Sequence, residues 1–206
     1  CFSAVVLNHT TIYILLSNFA AHTPEVQNIV DALSAITEKT TAGAAIEISR
    51  ALKTFYGSLS PVTFRNSCAG MYTGFDEVSA SIPKVLEKVC NTPGMIYQVN
   101  TVGGNISNKD LEKASAYPHR SKAFVSELQT YWDKAGENER LSKAFAEVQN
   151  IFATTGVTAQ YCNYPYLGFD NWQQAYYGNN YSRLQVVKSK YDPLNIIRHE
   201  QSIQPA

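Results

Sequence analysis

At 206 residues the chain has room for one hydrophobic core, or for one domain plus a piece of a second, which excludes a large multidomain enzyme. Lysine plus arginine and aspartate plus glutamate both number 17, so the formal charge is zero and there is no basic stripe to attract nucleic acid or anionic lipid. An apolar fraction of 45% with 12% aromatic residues belongs to a folded globular protein and not to a disordered one.

Phe2 to Leu7 and Ile12 to Ser17 read as two strands with a turn at Asn8 to Thr10. This N-terminal stretch is no secretory signal, because His9, Thr10 and Thr11 interrupt it and no basic region precedes it; it is also too short to span a bilayer. A chain that opens in mid-strand on Cys1 is expected to be cut from a longer polypeptide. Thr23 caps a predicted helix with Pro24 at its first position, and Val26, Ile29, Val30, Leu33 and Ile36 fall on one face that would lie on a sheet. Ala45 to Ser49 alternates like a strand, and "GSLSPVTFRNSCAG" has the glycine, serine and proline of a long loop. Val78, Ile82, Val85, Leu86 and Val89 make a second helical face, with Pro83 requiring an early position or a kink.

"GMIYQVN" and "KAFVSELQTYW" are predicted strands, the second alternating Phe124 and Leu128 with Glu127 and Gln129. Leu141, Phe145, Val148, Ile151 and Phe152 define a third helix ended by Gly156, and "VTAQYCNY" reads as a strand directly after it. Mixed helices and strands in this order suggest an α+β fold: an antiparallel or mixed sheet with helices on one face. The last fifty residues differ. A short helix through Trp172 and Tyr176, an interruption at Gly178 and a helix from Tyr181 to Lys190 stopping at Asp192-Pro193 share this region with seven of the chain's thirteen tyrosines.

Four cysteines, Cys1, Cys68, Cys90 and Cys162, lack the paired spacing of zinc or thioredoxin chemistry, and neither His119 nor His199 has a ligand partner at useful spacing, so no metal is expected. Three acceptor sequons begin at Asn8, Asn105 and Asn180. With an even number of cysteines they favour a secreted glycoprotein, in which Cys68 to Cys90 is the preferred bridge because it closes a short loop, and Cys162 stays free in a buried strand.

The tail carries a resemblance. "YCNYPYLG" followed by "NWQQAYYGNNYSRLQVVKSKYDPLNIIRHEQSI" is similar to the C-terminal signature of the berberine-bridge-enzyme-like flavin oxidases of the vanillyl-alcohol-oxidase superfamily. The motifs Y-x-N-Y, W-x-x-x-Y-Y-G-x-N, R-L-x-x-V-K-x-x-Y-D-P-x-N and the closing Q-S-I stand in the expected order. "AYPHRSKAFVSELQ" looks like the family's P-H-R turn leading into a substrate-facing strand.

The resemblance implies a two-part enzyme, of which this sequence supplies a substrate-binding domain over residues 1–159 and, over 160–206, a returning segment that completes an FAD-binding domain. The N-terminal FAD domain is not in the sequence: no G-x-G-x-x-G occurs, and "TVGGNIS" is too short to cradle a pyrophosphate. The resemblance therefore implies FAD bound mainly by a second polypeptide or by a missing N-terminal part, and a small-molecule substrate, with neither nucleic acid nor membrane as partner. The expected activity is oxidation of an alcohol, an amine, a phenolic natural product or a carbohydrate, with oxygen as acceptor. The alternatives are a catalytically silent subunit that stabilises a full-length oxidase, and a flavin-bound cyclase without redox turnover.

Such an oxidase needs a base at the substrate proton while hydride leaves for the flavin. Counting without gaps from Pro118-His119-Arg120 places Glu127 where many relatives carry a glutamine or glutamate that reaches toward the substrate. Gln129 shares its face and is the fallback. Tyr164 matches a position that acts as base or substrate contact in some relatives, while Tyr161 and Asn163 lie in the part of the motif that contacts the flavin ring. Strand alternation would put Tyr161 and Asn163 on one side and Cys162 and Tyr164 on the other, unless Pro165 breaks the strand. Arg183, Lys188, Tyr191, Asp192, Pro193 and Asn195 read as architecture that ties the returning segment to the absent domain, and His119 and Arg120 as holders of a turn.

Overall fold

The computed structural model describes residues 2–43, 45–55 and 61–206. Five strands, β1 (Phe2–Asn8), β2 (Thr11–Ser17), β3 (Thr63–Tyr72), β4 (Met95–Thr101) and β5 (Phe124–Trp132), form one sheet in the order β2-β1-β4-β5-β3. Every neighbouring pair is antiparallel. The fold is α+β, with helices packed on one face of an open antiparallel sheet.

That face is set by strand alternation. Leu128 stands opposite Tyr97 on β4 and Ser67 on β3, and together with Leu7, Met95 and Ala69 it packs beneath α4 (Ile82–Cys90) and α5 (Glu137–Ala153). Val85 and Val89 of α4 and Phe145, Val148 and Phe152 of α5 are fully or almost fully buried there, each worth roughly 1.5–3 kcal/mol of transfer free energy. Most polar atoms on this side are satisfied, the buried Thr130 hydroxyl being without a partner among the described residues. The Ser126 hydroxyl donates to Tyr72 at 3.0 Å and meets the Tyr97 hydroxyl at 3.0 Å, and Gln149 of α5 donates to the Ser67 hydroxyl and to the Cys68 carbonyl. Glu127, one residue before Leu128, consequently points to the opposite face.

Several sequence expectations need correction. The helix α1 (Pro24–Ser34) starts where predicted, with the Thr23 hydroxyl accepting from Val26 N–H at 3.4 Å, but none of its residues is buried and Ile29 stays exposed, so it does not lie on the sheet core. The strand expected at Ala45 to Ser49 is absent: Ile48 to Ser49 opens the helix α2 (Ile48–Phe55), and 45–47 have no regular structure. Thr63 to Gly70, expected as loop, belongs to β3; the preceding 57–60 lie outside the described residues. The helix through Val78 and Val89 is broken into α3 (Asp76–Ser79) and α4, with Pro83 in the first turn of the second piece.

"VTAQYCNY", expected as a strand, does not form one. Residues 157–161 run without regular structure along the free edge of β3 and end in a turn closed by Tyr164 N–H on the Tyr161 carbonyl at 3.0 Å. A bulge in β3 between Cys68 and Met71 admits this segment. The Met71 amide donates to the Ala159 carbonyl at 2.8 Å, the Gly70 amide to Gln160 Oε1 at 3.0 Å, and the Cys68 amide to the Tyr164 carbonyl at 2.8 Å. Gly70 sits at φ 108°, and a Cβ there would come within 2.9 Å of Val157 Cγ1, so the bulge demands glycine. The proposed Cys68–Cys90 bridge is also absent. Cys68, Cys90 and Cys162 are free thiols, because Cys68 is on the sheet face away from the helices whereas Cys90 ends α4 on the helix side. Cys162 is half-buried in the turn.

The returning segment continues through α6 (Trp172–Tyr177) and α7 (Tyr181–Tyr191), close to the predicted bounds. It is fastened to the 105–120 loop between β4 and β5 by Arg183 on the Lys113 carbonyl at 2.9 Å and Asn180 on the Ala116 carbonyl at 3.2 Å. Arg120, read as a turn holder, donates to the carbonyls of Asn105 and Ile106 and to Ser115 Oγ, pinning that loop from within.

Candidate active site

The sheet face turned away from the helices carries the candidate site. Along β5 it presents Val125, Glu127, Gln129 and Tyr131; Gln98 of β4 and Cys68 of β3 stand directly opposite Glu127, and Ile96 and Asn66 directly opposite Gln129. The returning turn brings Tyr161 and Tyr164 over this surface.

Glu127 is 6% exposed. Its Oε1 accepts from Asn66 Nδ2 at 2.9 Å, and Tyr164 is near enough to the same carboxylate to feel its charge. Among the described residues no lysine, arginine or histidine comes within 4.0 Å of it, although the four ion pairs found in the chain all join exposed or half-buried partners elsewhere. A buried carboxylate normally takes a cation as partner; this one has a neutral amide donor instead.

Tyr164 is a phenol pushed up to about 12, by burial first and then by the negative charge of Glu127. It is therefore protonated at neutral pH, with the carboxylate of Glu127 nearby. Gln129 is half-buried on the same face and accepts from the Tyr131 hydroxyl at 2.9 Å. Tyr131 in turn stacks on Phe64 with ring centres 5.8 Å apart.

Tyr161 and Tyr164, which strand alternation assigned to opposite sides, lie together: their rings meet edge-on at 5.2 Å because the turn replaces the strand. Asn163 is exposed and donates through Nδ2 to the Tyr161 hydroxyl at 2.8 Å. Tyr117, which the sequence reading did not single out, joins the wall. Its ring meets Tyr161 edge-on at 6.4 Å, the Arg120 guanidinium lies 5.5 Å from its centre, and burial with the nearby Tyr161 pushes its phenol up to about 12. Asn66 was missed as well, since its strand read as a loop; Tyr117 had one signal in the sequence, standing immediately before Pro118-His119-Arg120. His119 is buried, and burial pulls its pKa down, with the carbonyls of Ala175 and Gln160 opposing.

A sequence model of the family described as "Berberine and berberine like" matches residues 160–204, the segment that delivers Tyr161 and Tyr164. That segment is similar to the berberine-bridge-enzyme-like family. Over 126 residues it is 31% identical to the uncharacterized FAD-linked oxidoreductase YgaK of Bacillus subtilis, a stretch that is 61% of this chain and 27% of that protein. In fold it resembles a variant of the BBE-like 1 protein of Physcomitrella patens, with a TM-score of 0.83 and 17% identity, over 100% of this chain and 47% of that one. It is also similar to a solved chitooligosaccharide oxidase, with a TM-score of 0.82 and 17% identity over 100% and 48% of the two chains. The chain thus spans less than half the length of the berberine-bridge-enzyme-like relatives it matches.

The residues present fit one side of a flavin and not the whole of it. Tyr161 and Tyr164, packed edge to face, offer an aromatic surface, and the exposed amide of Asn163 can both donate to and accept from a polar ring edge. Among the described residues no glycine-rich loop leads into a helix in the way a pyrophosphate requires. At the far end of the segment, Leu194, Ile196 and Ile197 are 80%, 76% and 78% exposed, and Val186 and Tyr191 of α7 are exposed with them. That apolar surface is held in shape by Asp192, which pairs with Lys188 and accepts from the amides of Ile196 at 2.8 Å and Ile197 at 3.0 Å.

Proposed function

We propose that this chain is the substrate-binding part, with one wall of the flavin site, of an FAD-linked oxidase acting on an alcohol, an amine, a phenolic natural product or a carbohydrate. The observation that carries the reading is Glu127: a buried carboxylate with no cation beside it among the described residues, on the open face of the sheet, near Tyr164. FAD, when bound, supplies the acceptor for a hydride. Tyr161 and Asn163 of this chain contact its ring, Glu127 takes the proton from the substrate heteroatom, and Tyr164 donates a hydrogen bond to Glu127 or to the substrate oxygen. Gln129 holds a further polar group of the substrate on the same face.

The domain that carries most of the FAD is, in this reading, a second polypeptide or a preceding part of the same one. The exposed Leu194, Ile196 and Ile197 support it, since an apolar surface of this kind is normally covered. Native mass spectrometry with a visible absorbance spectrum of the protein purified from its source tests the proposal. A larger assembly with flavin bands is expected; a colourless, folded, solitary chain would refute it.

A further inference from the structure

Glutamate has three rotatable side-chain bonds, and a base on such a stem must be held if it is to meet its proton. Glu127 is flanked by neutral groups on every element that packs near it: Gln98 from β4, Cys68 and Asn66 from β3, Gln129 and Tyr131 from its own strand, Tyr161 and Tyr164 from the returning turn. Asn66 is the one of these whose hydrogen bond to the carboxylate is a fixed cross-strand contact, Nδ2 to Oε1 at 2.9 Å. It lies diagonal to Glu127 on the β3–β5 ladder, two residues from Cys68, within reach of a short side chain. The neighbouring Arg65 faces the other way, its guanidinium 6.0 Å from the Phe145 ring centre on the helix side.

We infer that Asn66 is a positioning residue, whose amide fixes one oxygen of Glu127 so that the carboxylate stays against Tyr164 and presents its other oxygen to the substrate. The inference rests on the oxidase reading above. An amide suits this task better than a cation: it orients the carboxylate by a directional bond without competing with the substrate proton for its charge. With an apolar residue at position 66, Oε1 loses its donor in a buried place, and the carboxylate turns outward to water.

Tyr164 reports that movement, since its phenol is raised to about 12 in part by the adjacent carboxylate, with Tyr161 and Cys68 contributing less. The experiment is a rapid pH-jump titration of phenolate absorbance in the flavin-loaded protein joined to its FAD-binding domain, with Tyr164→Phe subtracted to isolate the signal. Glu127→Gln is expected to lower the Tyr164 midpoint from about 12 toward its ordinary 10.0 without reaching it, because burial remains. Asn66→Leu is expected to lower it in the same direction, and Asn66→Gln, which keeps a donor, to restore most of the difference. If Asn66→Leu does not fold, Asn66→Val, which suits a strand, carries the same expectation. A Tyr164 midpoint that falls in Glu127→Gln but stays at about 12 in the position-66 variants overturns the role of Asn66 and leaves the Glu127–Tyr164 pair intact. A midpoint unmoved by Glu127→Gln removes the pair itself, and with it the oxidase reading on which Asn66 depends.

Discussion

Cys68 stands directly across the β3–β5 ladder from Glu127, and both side chains are buried. The thiol is pushed up to about 12, chiefly by burial, with the charge of Glu127 adding to it. A thiol so placed is inert, since the thiolate is the reactive form. Alkylation of the native protein at pH 8 should leave Cys68 untouched while the half-buried Cys90 and Cys162 react slowly. Peptide mapping without reductant checks this; a Cys68–Cys90 peptide pair would contradict the arrangement.

The Tyr176 hydroxyl clasps the returning segment. It accepts from the Tyr166 amide at 2.9 Å and donates to Gln201 Oε1 at 3.1 Å, while Gln201 Nε2 donates back to the Tyr166 carbonyl at 2.9 Å. Tyr176→Phe strands the buried Gln201 and the half-buried Tyr166 amide and should cost about 1–3 kcal/mol, read from the midpoint of chemical unfolding. Gln201→Leu should cost no more than that, because Tyr166 keeps its bond to Tyr176.

Replacing Gly70 by alanine brings a Cβ to 2.9 Å of Val157 Cγ1 at a φ of 108°. The strain should cost about 1–3 kcal/mol and loosen the edge where 157–160 enter. Hydrogen exchange should then accelerate at the Met71 amide, which is bonded to the Ala159 carbonyl at 2.8 Å. An unchanged rate with unchanged stability would mean that the bulge tolerates a side chain.

Asp192 gives a pH dependence with a definite sign. Its carboxyl is held below the usual 3.8 by the Lys188 hydrogen bond first and by the amides of Ile196 and Ile197 after it. A depressed carboxylate contributes stability that is present above the unfolded value and is lost as pH falls through the folded one. Protection of the Ile196 and Ile197 amides, corrected for intrinsic exchange, should therefore be constant from neutrality to pH 5 and disappear only below 3.8. Asp192→Ala should remove it at every pH.

The parts of the fold written in side-chain periodicity were readable. Leu141, Phe145, Val148 and Phe152 repeat because one stripe of α5 is packed, and Phe124 to Trp132 was legible from its strand-forming residues although Ser126, Glu127 and Leu128 are all buried. β3 was not readable, since from Ser67 to Tyr72 it is buried on both faces and its polar Asn66 and Ser67 are satisfied by partners far away in sequence, Glu127 and Gln149. The turn at Tyr161 to Tyr164 was hidden for a related reason. Its residues have strand composition, but its hydrogen bonds go to a bulge that only Gly70 announces. Glu127 was singled out by its spacing from Pro118-His119-Arg120, whereas Asn66 comes beside it by tertiary contact alone.

The most direct test of Glu127 as base is anaerobic bleaching of the flavin, followed by stopped flow in the complete, FAD-loaded protein. A panel including an oligosaccharide, an aromatic alcohol and a cyclic amine serves as substrate. For whichever compound reduces the wild type, Glu127→Gln should keep the bound flavin and its visible spectrum but slow reduction by about 10²–10⁴-fold, the usual worth of a positioned general base. Reduction of Glu127→Gln at the wild-type rate would contradict the account.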